Sequence, residues 1–426
     1  MFSTAENKPH AARKRIVTHM YSKSNVQSSP DVQKISRHMV FKRLLPCVRE
    51  FADEGRDVEI EYFSYAVAMD FISAFTFGLG NGSDFIRNRE EGREWFRIYQ
   101  SRRPYEFWQG ELPSFTSWTD RLGLPVIPRW VDKANRFLER WMVQRCTASK
   151  EWTSTLEEGK TEDKTPSLVY DQLLKGKKTK TADGDTREPP VLDLASELFD
   201  HVAAGHHTSG VALTYLFWEL SRQPELQTAL REELSSLDPS IHISDASETK
   251  SLPSPRALEG LPLLHALFME TLRIHPPIPG AQPRVTPATP VSVAGSPPLN
   301  PGTRISSQAY TLHRNPDVFP EPKAWKPSRW LEATEEKKAE MLKWFWAFGS
   351  GSRMCIGSHI AMQSEWMKGV TRLSANNYTD MRLITAAIYS NFTTSIVDDS
   401  GIEQEDTWTA GPTGKVVLRF HRIETS

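Results

Sequence analysis

A mostly helical fold with a small β portion, in one body spanning residues 1–426, is what this sequence predicts. Three observations carry the prediction. Apolar side chains recur at helical spacing over long stretches, the longest from Val191 to Leu220. The β-like pieces are few and short, at Arg284 to Val293, Arg304 to Tyr310 and Lys415 to Phe420, and no internal repeat divides the chain. The composition, 38% hydrophobic and 25% charged, is that of a globular chain with a large packed core.

In chain order, residues 10 to 50 read as helix, with Arg13, Lys14, Arg15, Lys42 and Arg43 alternating with apolar positions, and further helical patterns follow near 57 to 78 and 130 to 150. Between these lies an aromatic, Pro-containing stretch at 104–130, PYEFWQGELPSFTSWTDRLGLPVIPRW, whose many Trp and Phe read as core filling; it lacks the basic interleaving of a nucleic-acid platform. Residues 153 to 190 read as a polar, charge-mixed surface linker. The long helix from Val191 follows, then a second over 257 to 274 that must end at Pro276-Pro277. Pro-rich coil leads to a Gly-rich loop, one more helix and terminal strands.

With 52 basic and 53 acidic side chains the net charge is −1, which gives no support for nucleic-acid binding. Three cysteines, Cys47, Cys146 and Cys355, cannot form a disulfide framework in so long a chain and fit a reducing compartment. The N-terminal MFSTAENKPHAARKRIV lacks the apolar stretch of a signal peptide, and no window approaches the roughly 18 apolar residues of a membrane span, so the chain as written has no anchor.

The strongest chemical signal is FGSGSRMCIG, in which Phe348, Gly351, Arg353, Cys355 and Gly357 satisfy F-x-x-G-x-R-x-C-x-G. With each residue type at roughly 5%, a chance match to five fixed positions is on the order of 10⁻⁴ for the whole chain. On this motif the chain resembles the cytochrome P450 family of haem-thiolate monooxygenases, from about residue 8 to the end. The resemblance implies the P450 fold and heme b, with Cys355 as the axial thiolate on iron, Phe348 covering the sulfur, Arg353 pairing with a haem propionate, and Gly351 and Gly357 letting the backbone approach closely. Cys355 is expected where a loop enters a helix beginning near Ile356, whose unpaired amides and positive end favour the thiolate. Taken alone, Cys355 could equally be an inert buried thiol.

Glu270-x-x-Arg273 in FMETLRIHPP sets two charges one helical turn apart, a spacing that many solvated helix faces share. The resemblance implies a buried network of Glu270, Arg273 and Arg329 that locks this helix to the segment delivering the Cys loop. Ala204-Gly205-His206-His207-Thr208 interrupts the long apolar helix with a costly Gly and a Thr whose hydroxyl can divert to the carbonyl four residues back. By resemblance this turn is the distal groove for dioxygen, with Thr208 helping to deliver protons; by packing alone it is a set of small residues between helices. His207 stands where the family has Asp or Glu, and an imidazole can also relay protons. Arg284 in QPRVTP and Lys14 in HAARKR, with His10 where the family often has Trp, are placed by resemblance at the haem propionates. The basic turn also reads as a solvated helix face, or as a docking face for an acidic electron donor.

The resemblance implies insertion of one oxygen atom from O2 into a small apolar organic substrate, with electrons from NADPH-cytochrome P450 reductase. AGHHTSG and HRNPDVFPEPKAWKPSRWL look most like filamentous-fungal members, which implies secondary-metabolite oxidation. Full-length members of this type sit on the endoplasmic-reticulum membrane, facing the cytosol. The alternatives are a haem-thiolate isomerase or dehydratase, and a truncated, non-catalytic paralogue. The resemblance begins at a segment that lies about a hundred residues into such members, so the expectation is a chain lacking its N-terminal part, including the loop that selects substrate. Residues 369–381 (VTRLSANNYTDM with the preceding Gly369) carry turn formers inside what should be one helix, and read as a retained intron, a looped-out insertion or an ordinary helix-loop-helix.

Overall fold

The computed structural model describes residues 6–157, 165–180, 186–243, 251–293, 295–358 and 380–423. Their secondary structure is mainly helical, with three small sheets among the described residues. Residues 10 to 50 form several helices where one was expected: α1 (Asn7–Thr18), α2 (Lys23–Ser28), α3 (Pro30–His38), a π-helical stretch over Met39–Leu44, and α4 (Leu45–Asp53). Pro30 explains the break before α3, because it has no amide to continue an earlier helix, and the Ser29 side chain caps α3 by accepting from the Val32 amide at 3.4 Å.

The chain divides into two compact units: Met1–Met20 with Ser29–Cys47 and Ala66–His206, and Tyr21–Ser28 with Val48–Tyr65 and His207–Ser426. In order come β1 (Asp57–Glu59), α5 (Ile60–Phe77), α6 (Arg89–Arg102), α7 (Glu106–Glu111), α8 (Pro113–Arg121), α9 (Arg129–Glu157), α10 (Leu168–Lys177), the two-residue strands β2 (Thr179–Lys180) and β3 (Thr186–Arg187), and α11 (Val191–Ser221). The first unit's core is aromatic. Phe85, Trp95, Phe96 and Trp141 form one ring cluster, with Trp95 stacked on Tyr99 at 5.4 Å. Beside it, the buried Asp70 carboxylate accepts from the Ser83 hydroxyl at 2.6 Å and the Phe85 and Ile86 amides at 2.8 and 3.1 Å, with Arg43 at 3.7 Å. Burial pushes its pKa up to about 6 despite these partners.

The 104–130 stretch is a correction to the core reading. Only Thr119 is buried there, whereas Phe107, Trp118, Leu122 and Leu124 are 55%, 58%, 55% and 71% exposed. The rings instead meet one another along α7 and α8, Trp108 against Phe115 at 6.0 Å and Phe115 against Trp118 at 6.3 Å. Aromatic composition shows that rings will cluster but not which side of a short helix faces the body. The linker reading of 153–190 is corrected too: α9 reaches Glu157, and α10 buries Val169, Tyr170 and Leu173 on one side of a lysine-rich helix.

In the second unit follow α12 (Pro224–Leu234), α13 (Pro255–Glu259), α14 (Pro262–Ile274), β4 (Ala281–Val285), β5 (Arg304–Gln308), α15 (Ala309–Leu312), α16 (Ser328–Glu332), α17 (Glu335–Trp344), α18 (Asp380–Tyr389), β6 (Phe392–Asp398) and β7 (Val417–Arg422). The helix α14 ends ahead of Pro276-Pro277, where proline can no longer supply amides. β1, β7 and β6 form an antiparallel sheet in that order, and β4 pairs antiparallel with β5. Alternation along β7 buries Leu418 and Phe420, and Phe420 meets Phe51 and Phe63 at 6.3 and 5.8 Å. Of the segment 369–381, only Asp380 and Met381 are described, at the start of α18; the rest, with Ile360, Ala361 and Met362 of the helix expected to lead into it, lies outside the described residues. Among the described residues no helix is long and apolar enough to cross a membrane.

Candidate functional site

The loop after α17 is shaped by its own backbone. A 3₁₀ turn runs over Gly351–Arg353, Gly351 takes φ +70°, which a side chain would strain, and the Cys355 amide donates back to the Phe348 carbonyl at 2.9 Å. Cys355 is exposed, unlike the buried Cys47 and Cys146, and burial pushes the Cys146 thiol up to about 12, which leaves it unreactive. At Gly357 a side chain would begin 3.8 Å from the Cys355 Sγ, so its absence keeps the sulfur's surroundings open. The buried Tyr21 phenol has its pKa raised, first by burial and then by the charge of the Cys355 thiolate. Nothing in the sequence connected Tyr21 to the sulfur. Ile356 and Gly357 form a turn, and Ser358 is the last described residue before 380, so the helix expected from Ile356 lies outside the described residues.

Behind this loop, Glu270, Arg273 and Arg329 are brought together. Arg273 is fully buried and uses all five N–H donors: Nε and Nη2 reach Glu270 at 2.8 and 2.7 Å, and the others reach the carbonyls of His313, Pro322 and Ala324 at 2.9, 2.7 and 2.9 Å. Glu270 also accepts from the Lys326 amide at 2.9 Å, Arg329 Nε at 3.3 Å and Trp330 Nε1 at 2.9 Å. His313 extends the network. Its Nε2 accepts from the Trp346 amide at 2.7 Å, so its Nδ1 carries the hydrogen and donates to the Arg273 carbonyl at 2.8 Å. Burial pushes the His313 pKa down to about 3, which keeps the ring neutral in this arrangement. Sequence reasoning missed His313 because it stands in a coil where no period marks a buried residue; its place just ahead of Arg314-Asn315-Pro316 was the available signal.

On α11, Ala204 is exposed and Gly205 and Thr208 are half-buried, whereas His206 and His207 are 0% and 2% exposed. His206 is a core residue: its Nδ1 donates to the Val202 carbonyl at 2.8 Å, its ring packs on Trp95 and Tyr99 at 5.1 and 5.0 Å, and burial pushes its pKa down to about 4. Gly205 has a packing reason as well. A Cβ there would lie 2.6 Å from Ile72 Cγ1 of α5, so glycine permits the two helices to close.

Lys14 is half-buried on α1, where His10 is buried at 9% exposure. Its neighbours behave as a partly solvated basic face, Arg13 lying 3.6 Å from Glu197 and Arg15 bonding the Ala11 carbonyl at 3.2 Å. Arg284 lies on β4 opposite Ile305, half-buried, with Nη1 on the Pro283 carbonyl at 2.9 Å. Arg353 is half-buried in the 3₁₀ turn ahead of Cys355.

The family model that matches this chain is Cytochrome P450, over residues 3–367. The chain belongs to the cytochrome P450 family. Among curated relatives it is 28% identical to the cytochrome P450 monooxygenase avaI of Aspergillus versicolor, over 86% of this chain and 81% of that protein. It is 25% identical to the cytochrome P450 monooxygenase FGM1 of Gibberella zeae, over 99% and 76%, and 26% identical to the N-acetyltryptophan 6-hydroxylase ivoC of Emericella nidulans, over 95% and 71%. This P450 is therefore an oxidoreductase of the monooxygenase type, in a family that works with a haem iron held by a cysteine thiolate, a redox partner, O2 and an organic substrate.

Proposed function

We propose that this P450 holds heme b through the Cys355 thiolate and inserts one oxygen atom from O2 into an apolar organic substrate of fungal secondary metabolism, with NADPH-cytochrome P450 reductase as electron donor. The observation that carries the reading is the loop itself: an exposed thiol, a left-handed Gly351, and a Gly357 that leaves the space beside the sulfur open. A lone thiolate on an open loop is the donor set of an iron whose remaining ligands come from a macrocycle, so these residues fit the group. When bound, haem supplies the reduction of dioxygen and the oxidation of the substrate.

The residues of the chain do the rest. The amide of Cys355, committed to the Phe348 carbonyl at 2.9 Å, fixes the loop that presents the sulfur, and Phe348 would lie over the sulfur once haem is held. Arg353, Arg284 and Lys14 are the cations for the propionates, Arg through its planar fork. Thr208 offers its hydroxyl to hold and pass a proton, with His207 next to it, and Ala204 and Gly205 leave the turn uncrowded by side chains. The Glu270–Arg273–Arg329 network, through His313, holds the coil ahead of the loop to α14. The turn formers of 369–381, within what should be one helix, support reading that segment as an insertion. The working place is the endoplasmic-reticulum membrane, as for the full-length members of this type.

The test is spectral. The reduced, CO-bound protein should show the red-shifted Soret band of a thiolate-ligated haem, and Cys355→Ala should abolish it. A normal band in Cys355→Ala removes the ligand assignment.

A further inference from the structure

We propose that Tyr65 is a positioning residue for His207, and that Glu61 holds Tyr65 in that role. The inference rests on the reading of the α11 turn as the proton-delivery segment and names what orients its histidine. A histidine ring turns broadly about its outer torsion, and turning it over exchanges Nδ1 with Nε2. A ring that passes protons in one direction needs an outside constraint.

The structure supplies one. His207 is 2% exposed and its ring stacks on that of Tyr65 at 5.2 Å, with 29° between planes. Tyr65, 3% exposed on α5, donates its phenolic hydrogen to Glu61 Oε1 at 2.9 Å, one turn back on the same helix. Two glycines hold this pair close. At Gly210, three residues beyond His207, a Cβ would lie 2.2 Å from Tyr65 Cδ1 and 3.1 Å from its Cα, so only glycine lets the tyrosine lie against α11. At Gly411 a Cβ would lie 2.8 Å from Glu61 Oε1 and 3.1 Å from the Tyr65 hydroxyl, so the chain there closes over the hydrogen bond. Glu61 is only half-buried and faces solvent at the outer end of this arrangement. Ring, hydroxyl and carboxylate thus form a support that meets the delivery segment at the face of His207.

The test uses the haem-loaded protein and two readouts. The first is the histidine-selective ¹⁵N NMR spectrum of the reduced, CO-bound form, which reports the His207 tautomer; His207→Gln assigns its resonances. The second is peroxide released per NADPH consumed with the reductase. Tyr65→Leu is expected to shift the His207 resonances and raise the peroxide ratio several-fold, to the level of His207→Gln, with no further rise in the double variant. Tyr65→Phe keeps the stacked ring and should give a smaller change in both readouts, matched by Glu61→Gln. Unmoved resonances and an unchanged ratio in Tyr65→Leu, against a raised ratio in His207→Gln, overturn the positioning role alone. An unchanged ratio in His207→Gln overturns the proton-delivery reading and this role with it. Should Tyr65→Leu not fold, Tyr65→Phe decides: resonances and ratio both unmoved overturn the inference.

Discussion

Replacing Glu270 by alanine should cost about 3–5 kcal/mol of folding stability, because it removes one partner of a buried ion pair and leaves the other charge in place. The structure shows why the loss falls at the upper end of what one side chain can cause. Glu270 accepts five hydrogen bonds: two from Arg273, and one each from the Lys326 amide, Arg329 and Trp330. Both Glu270 and Arg273 are fully buried, so no water replaces what is removed. With an unfolding entropy of about 2.1 cal/mol/K per residue, 426 residues give about 0.9 kcal/mol/K, and the expected fall in Tm is about 3–6 °C. Thermal unfolding followed by far-UV circular dichroism, at fixed protein and haem concentrations, measures it. Glu270→Ala combined with Arg273→Met removes both charges and should be less damaging than the sum of the single changes. Arg329→Ala, losing the 3.3 Å contact to Glu270 and bonds to the Pro320 and Glu321 carbonyls at 2.6 and 3.3 Å, should cost less, about 1–2 kcal/mol. A Glu270→Ala protein melting within about a degree of the parent would refute the reasoning, since it would mean that Arg273 finds other partners at little cost.

Thr208→Ala should leave the CO-bound Soret band intact and raise peroxide released per NADPH, whereas His207→Glu should lower it; unchanged ratios in both would remove the proton-delivery reading. Acid should weaken the fold through its buried histidines: His313 titrates at about 3 when folded against 6.5 ordinarily, so the unfolded chain alone takes up the proton in that window. The His313 contribution is therefore complete above about pH 6.5 and is lost as pH falls toward 3, and His313→Asn should flatten the slope of stability against pH by up to one proton, measured by urea unfolding at several pH values. Trp118→Ser, at a ring 58% exposed, should change stability by no more than about 0.5 kcal/mol, while Trp95→Ala, at a fully buried ring, should cost about 3–5 kcal/mol in the same measurement.

How legible the molecule was in its sequence depended on whether a residue's environment is set locally. The long helix from Val191, the stop before Pro276-Pro277 and the terminal strand at β7 follow from period and proline, which act over a few residues. The motif around Cys355 was legible because it is contiguous, and Glu270 and Arg273 because they stand one turn apart. Orientation was not legible. Phe107, Phe115 and Trp118 have the composition of a core and face solvent, and Val169, Tyr170 and Leu173 are buried inside a stretch that its lysines mark as surface. His313 and Tyr65 act through partners far along the chain, Arg273 and Trp346 for one and His207 for the other, and no local pattern announces such a pairing. His206 and His207 are adjacent and alike in sequence, yet one packs on Trp95 and Tyr99 and the other on Tyr65.

The His313 bridge joins Trp346, in the coil ahead of the thiol, to the last turn of α14. A main-chain hydrogen held by so deeply buried a ring trades with solvent deuterium only when the bridge opens, and opening it exposes the Arg273 carbonyl as well. The Trp346 amide should then exchange as slowly as the amides of α14, although it belongs to no helix or strand. The thiol's approach segment and α14 would open as one cooperative block, with its border crossing the coil after Trp346 instead of the end of α17. Heat or denaturant that releases this block would release the Cys355 sulfur in the same event.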